Sequence, residues 1–198
     1  MEKKRLANFI SAAMNAPLIA ILTFTPLILT QSHPSQNLLI GVTTLFGALL
    51  PLSSTYYLVR KGIIPDIYAS DRSTRTEPFL WAMASYLLGV TALLWLEAPF
   101  VVTALMACYF VNALIMLCIT LYWKISIHAV GVMGPLTALM FQLGTRITPL
   151  FLLMLPVAWA RIELKAHNFK QVLAGAVLST VLTWIQMVFY VNFLLPMI

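Results

Sequence analysis

Seven polar side chains of this chain have the types needed to hold and attack a phosphate: His128, His167, Arg161, Arg72, Arg75, Lys124 and Ser126. His128 lies in Trp123-Lys-Ile-Ser-Ile-His-Ala129. His167 closes Arg161-Ile-Glu-Leu-Lys-Ala-His167, and two arginines sit in Asp71-Arg-Ser-Thr-Arg-Thr-Glu-Pro78. Arginines clamp phosphate oxygens through charge-assisted, bidentate hydrogen bonds. A neutral histidine can attack phosphorus, and a second can protonate the oxygen that leaves. A serine and the free N–H groups of a helix start can complete the anion pocket, and Ser126 and His128 stand where a helix would begin. Together these parts make a phosphoryl-transfer site that needs no metal and no cofactor, assembled from three loops. Each part alone has a blander role. Bases at helix ends commonly mark a membrane edge and touch lipid head groups, which suffices for Lys3, Lys4, Arg5, Arg60 and Lys61. The chemical reading rests on the set sharing one place.

That sharing depends on the elements between the loops. The chain has 198 residues, 61% hydrophobic and only 9% charged, whereas a soluble domain carries about 25% charged residues. Apolar runs fall at about 6–31, 38–59, 78–96, 99–123, 127–145, 147–160 and 170–195. Most reach the roughly 18 or more residues that cross a bilayer. The pattern predicts an all-α, polytopic membrane helix bundle of six or seven transmembrane helices, with residues 1–198 forming a single integral membrane domain. The first run reads as a retained span, not a cleaved signal peptide. The 147–160 run is short, since at 1.5 Å per residue it covers roughly 21 Å of a core about 30 Å thick. Cys108 and Cys118 fall within one apolar run and read as small apolar residues, without metal or disulfide spacing.

Alternating seven crossings sorts the loops. One face collects the N-terminus, the 60–77 loop, the 124–128 junction and the 161–170 loop. It holds eleven of the twelve lysines and arginines, leaving Arg146 opposite. The excess of bases places this face, and the candidate site, in the cytoplasm. The residues 127–160 must then form a hairpin, because one crossing would separate His128 from Arg161. No chemical signal precedes Arg60; residues 1–59 read as packing and anchorage.

The residues Arg161 to Leu178 resemble the third signature of the type 2 phosphatidic acid phosphatase superfamily, which runs S-R, five residues, H, three residues, D. Lys124-Ile-Ser-Ile-His-Ala129 resembles the second, P-S-G-H, and Asp71 to Pro78 echoes the first. The resemblance implies that residues 60–198 are a phosphatidic acid phosphatase type 2-like core. It gives His167 the role of nucleophile, forming a phosphohistidine, and His128 that of acid for the leaving group. Arg161 and Ser126 become phosphate binders, with Arg75 or Arg72 as the first-signature arginine and Lys124 as a further charge. The implied reaction is metal-independent hydrolysis of a lipid phosphate or polyprenyl diphosphate in the membrane. The sequence departs from the pattern at Ala160, in the serine's place, at Ile127, in the glycine's, and at Gln171, in that of the orienting aspartate. An amide can accept a hydrogen bond from the imidazole but cannot stabilise an imidazolium by charge.

Other readings share these residues. A phosphotransferase would use an alcohol in place of water. A non-catalytic lipid or anion binder, or a transporter, would need no charged orienter, which suits Gln171. Metal-dependent prenyl and CDP-alcohol transfer need clustered carboxylates around Mg²⁺, and the six acids here are scattered. The expected partners are the bilayer and a membrane lipid with a phosphate or diphosphate head group, and no nucleic acid.

Overall fold

A computed structural model describes residues 1–194; the last residue of the expected 170–195 run lies outside them. Among the described residues the chain is all-helical. Helix α1 (Glu2–Ala13) and α2 (Ala16–Leu29) meet at a 46° bend. The bend has a local cause: Asn15 caps α2 by accepting from the Leu18 N–H, and Pro17 occupies a first-turn position where no N–H is required. Next come α3 (Gln36–Thr44), a wide turn at Leu45–Leu49 and α4 (Leu50–Arg60), all one continuous rod. In the wide turn the Phe46 carbonyl would look five residues on for its donor, and finds Pro51. The Ser85 hydroxyl, from the neighbouring helix, supplies that hydrogen bond instead at 2.7 Å.

Helices α5 (Thr76–Trp95) and α6 (Phe100–Tyr122) form an antiparallel pair through the break at Glu97-Ala98-Pro99. Then follow α7 (Ile127–Leu143), a 3₁₀ stretch at Gly144–Leu153, α8 (Met154–Glu163) and α9 (Phe169–Phe189). Five helical segments are long and apolar enough to cross a membrane, or six when the bent α1–α2 pair counts as one span. The core lies where α2, α6 and α7 meet, around Phe24, Leu27, Leu105, Met106 and Val132. Outward faces carry Leu87, Leu88, Leu155, Val177 and Ile185, side chains suited to lipid.

The longest segment, Ile127–Glu163, is not a straight rod. At 37 residues it would span about 55 Å as an α-helix. Yet His128 and Arg161, near its two ends, both reach Ser11. The chain therefore folds back at Gly144, whose φ of +76° suits a residue without a Cβ. The return limb extends beyond the 147–160 run, from Gly144 to Glu163, and its conformation lengthens it further. Its first ten residues, Gly144–Leu153, are 3₁₀ and rise about 2.0 Å each. They cover about 20 Å, and α8 adds roughly 15 Å.

Candidate functional site

The hairpin returns the chain to the face where the 61–75 and 123–126 loops emerge. Helix α8 ends in a tight turn: the amides of Ala166 and His167 both donate to the Arg161 carbonyl, at 3.1 and 3.2 Å. Lys165 takes a left-handed φ of +53° to close it. Arg161 and His167 are thereby held together across their six-residue spacing. Helix α9 then starts with a capping box. Asn168 Oδ1 accepts the Gln171 N–H at 3.0 Å, and Gln171 Oε1 accepts the Asn168 N–H at 3.2 Å. The same Oε1 lies 3.1 Å from His167 Nδ1. An amide oxygen can only accept, so Nδ1 carries the proton and Nε2 keeps its lone pair.

The 123–126 loop is clamped against this turn. The Ser126 N–H donates to the Gln171 carbonyl at 3.2 Å. A Cβ on Gly175 would meet the Ser126 carbonyl at 2.7 Å, so glycine permits the approach. The Ser126 hydroxyl is fully buried and caps α7 by accepting from the Ala129 N–H. Arg75, at the start of α5, straddles two loops, its Nε donating to the Ala69 carbonyl at 2.9 Å and its Nη1 to the Ile125 carbonyl at 2.8 Å. Asp66 organises the same loop by accepting from the Tyr68 and Ser70 amides.

Two further residues join the site. Ser11, on the buried face of α1, accepts a 2.6 Å hydrogen bond from Arg161 Nη1. Its Oγ and its carbonyl lie 3.2 and 3.1 Å from His128 Nε2. The N-terminal third, read as packing and anchorage, thus supplies a hydrogen-bond partner to Arg161 and to His128. The only available hint was that Ala7 and Ser11, one turn apart, form a small-residue face on an otherwise basic helix. Tyr68 is the second. Its ring lies 5.5 Å from that of His128, and the Arg161 guanidinium stands 5.7 Å from its centre, within cation–π range.

The expected residues do not all take the expected posts. Arg161, Arg75, Ser126, His128 and His167 converge. Lys124 is half-buried beside them, and burial, then Arg75 and Arg161, lower its pKa. Arg72 turns away, capping α6 through the carbonyls of Thr120 and Leu121, which leaves Arg75 as the arginine of that loop within the cluster.

The electrostatics of the cluster are unusual. Arg75 and Arg161 are each only 4% exposed, and their hydrogen bonds go to carbonyls and a hydroxyl, none to a carboxylate. The buried Arg161 Nε has no partner at all among the described residues. Asp66 acts on both guanidiniums through space, but neither is hydrogen-bonded to a carboxylate, and a buried charge without a directly paired counter-charge is costly. Burial first, then Arg75 and Arg161, push His167 down to about 3 against the weaker pull of Gln171, so it is neutral at pH 7. Such a pocket can draw in an anionic group and present it with an unprotonated imidazole nitrogen. No family model, curated protein or solved structure matches the chain.

Proposed function

We propose that the protein is a metal-independent lipid phosphatase of the membrane, a divergent relative of the type 2 phosphatidic acid phosphatases. Its substrate in this reading is a lipid phosphate or polyprenyl diphosphate. The observation that carries the reading is the pair of buried arginines with no carboxylate hydrogen-bonded to them, set beside a neutral histidine whose Nδ1 is held by Gln171. Phosphate oxygens replace Ser11 on Arg161 and take up its free Nε. Nε2 of His167 attacks phosphorus, the bond from phosphorus to the leaving oxygen breaks, and His128 relays to that oxygen the proton that a monoanionic phosphate brings in. Water then attacks the phosphohistidine and passes a proton to His128; the P–N bond breaks and inorganic phosphate leaves. Arg75 and Lys124 balance the charge that accumulates. The basic edge faces the cytoplasm and the lipid remains in its leaflet.

A second reading has its own support. Gln171 orients His167 with a neutral amide, and Ser11 already occupies Arg161, as befits an anion binder that does not turn over. Phosphate release by the purified protein in detergent and EDTA separates the two, with phosphatidic acid, phosphatidylglycerol phosphate and polyprenyl diphosphates as substrates. Release that falls at least about 10⁴-fold in His167→Ala is the expected result. Release that persists in that variant removes the nucleophile, and no release from any substrate leaves the binder.

A further inference from the structure

A cavity of about 240 Å³ begins at the site and runs into the bundle. Tyr68, Arg75 and His128 line its outer end, and Tyr86, Tyr109, Asn112 and Thr183 its inner end. Between them the walls are apolar, with Phe79, Ala82, Leu105, Met116 and Pro135 among the lining residues. Arg75 and Tyr86 lie eleven residues apart along α5, so the cavity reaches about 16 Å inward, half the depth of a core about 30 Å thick.

We infer that this cavity seats one hydrocarbon tail of the phosphate-bearing substrate, and that the polar cluster at its inner end limits the tail's length. The inference rests on the phosphatase reading above. A depth of about 16 Å seats one chain of medium length. The substrate class is therefore a lipid phosphate with a tail of medium length, any second tail staying in the bilayer.

The inner end is polar. Asn112 donates to Thr183 Oγ1 at 2.9 Å and accepts from Gln186 Nε2 at 2.8 Å, tying α6 to α9. Of the groups that line the inner end, the Tyr109 hydroxyl is buried without a partner among the described residues. Water entering through the cavity satisfies it while the inner end is open. A tail long enough to reach it expels that water and leaves it unpaired. One unpaired buried polar group corresponds to a factor of at least about fivefold. A shorter tail stops before this penalty.

Single-chain alkyl phosphates from six to sixteen carbons are the probes, with phosphate release by the full-length protein in detergent as the readout. The expected wild-type profile peaks at medium length and falls at least about fivefold for the longest chains. Tyr109→Phe removes a hydroxyl that has no partner, so the fold is retained, and the profile shifts toward longer chains. Ala113→Leu fills the inner end from the next residue of α6 that lines the cavity. It shifts the profile to the shortest chains while leaving their cleavage intact. A profile that is flat, or identical in all three proteins, overturns the tail seat. Absence of release at every length, in the wild type too, overturns the phosphatase reading itself.

Discussion

Ser11 and Arg161 lie 150 positions apart in the chain and share a 2.6 Å hydrogen bond. Because Ser11 also contacts His128 Nε2, one hydroxyl on the first helix stands between the two halves of the candidate site. On the phosphatase reading, it occupies the place of a phosphate oxygen. Ser11→Ala strips Arg161 of its recorded partner and should lower stability by about 1–3 kcal/mol. Inorganic phosphate should recover that loss. Thermal unfolding in detergent is expected to show a larger phosphate-induced rise in Tm for the variant than for the wild type. Equal rises would mean that Ser11 and the anion do not compete for Arg161.

Arg72 and Arg75 are three residues apart, and their substitution should separate them cleanly. Arg75 bonds carbonyls within the cluster, whereas Arg72 caps α6 outside it. Arg75→Ala should reduce turnover about 10²–10³-fold, the effect of losing one preorganised donor to a transition-state oxygen. Arg72→Ala should cost mainly stability, about 0.5–2 kcal/mol on the scale of a lost helix cap, with turnover nearly retained. Initial rates and melting curves of the two variants side by side decide this, and a kinetic defect in Arg72→Ala as large as that of Arg75→Ala would contradict it.

Gln171 has a reach that matters as much as its charge. Its Oε1 serves both His167 Nδ1 and the Asn168 amide, so Gln171→Glu preserves both contacts and adds a carboxylate, while Gln171→Asp falls a methylene short. The carboxylate favours the protonated imidazole and should raise His167 above its value of about 3. The acid limb of the kcat/KM profile then moves to higher pH in Gln171→Glu, with a faster rate on the plateau. Gln171→Asp should show a smaller shift. An unmoved acid limb in Gln171→Glu would show that His167 is not the group titrating.

His167 also ties stability to pH. Burial beside two arginines moves it from an ordinary 6.5 to about 3 in the folded state. Between those values the unfolded chain binds the proton and the folded one does not, so stability rises with pH. Its contribution is complete above about pH 6.5, declines as the pH falls toward 3, and declines no further below that. Melting temperatures from pH 3 to 8 should therefore slope less steeply in His167→Gln than in the wild type. Parallel slopes would place the titration elsewhere.

Much of this was legible in the chain. Apolar runs mark their spans because a bilayer tolerates few charges, and Arg161 and His167 announce themselves by spacing and by a shared loop. The hairpin at 127–160 followed from a topological demand, and Ser11, touching both its ends, meets that demand. What was illegible depended on contacts made across the fold. A serine on a basic amphipathic helix has no chemical signature until the bend at Met14-Asn15 lays it over Arg161. Nor could residue type alone distinguish Arg72 from Arg75, since only the loop's path decides which guanidinium points inward. The short 147–160 run looked deficient chiefly because the helical limb extends from Gly144 to Glu163, and its 3₁₀ winding adds about 5 Å more.

The return limb has a mechanical meaning beyond its length. Gly144–Leu153 is wound as a 3₁₀ helix, a form seldom sustained for more than three or four residues. Rewinding those ten residues to an α-helix would shorten the limb by about 5 Å, at 0.5 Å less rise for each. With Gly144 held at the far side, Arg161 and His167 would sink by nearly one helical pitch, away from Ser11 and into the hydrocarbon. The elevation of the candidate site above the membrane interior is thus governed by the winding of a strut that contributes none of its residues.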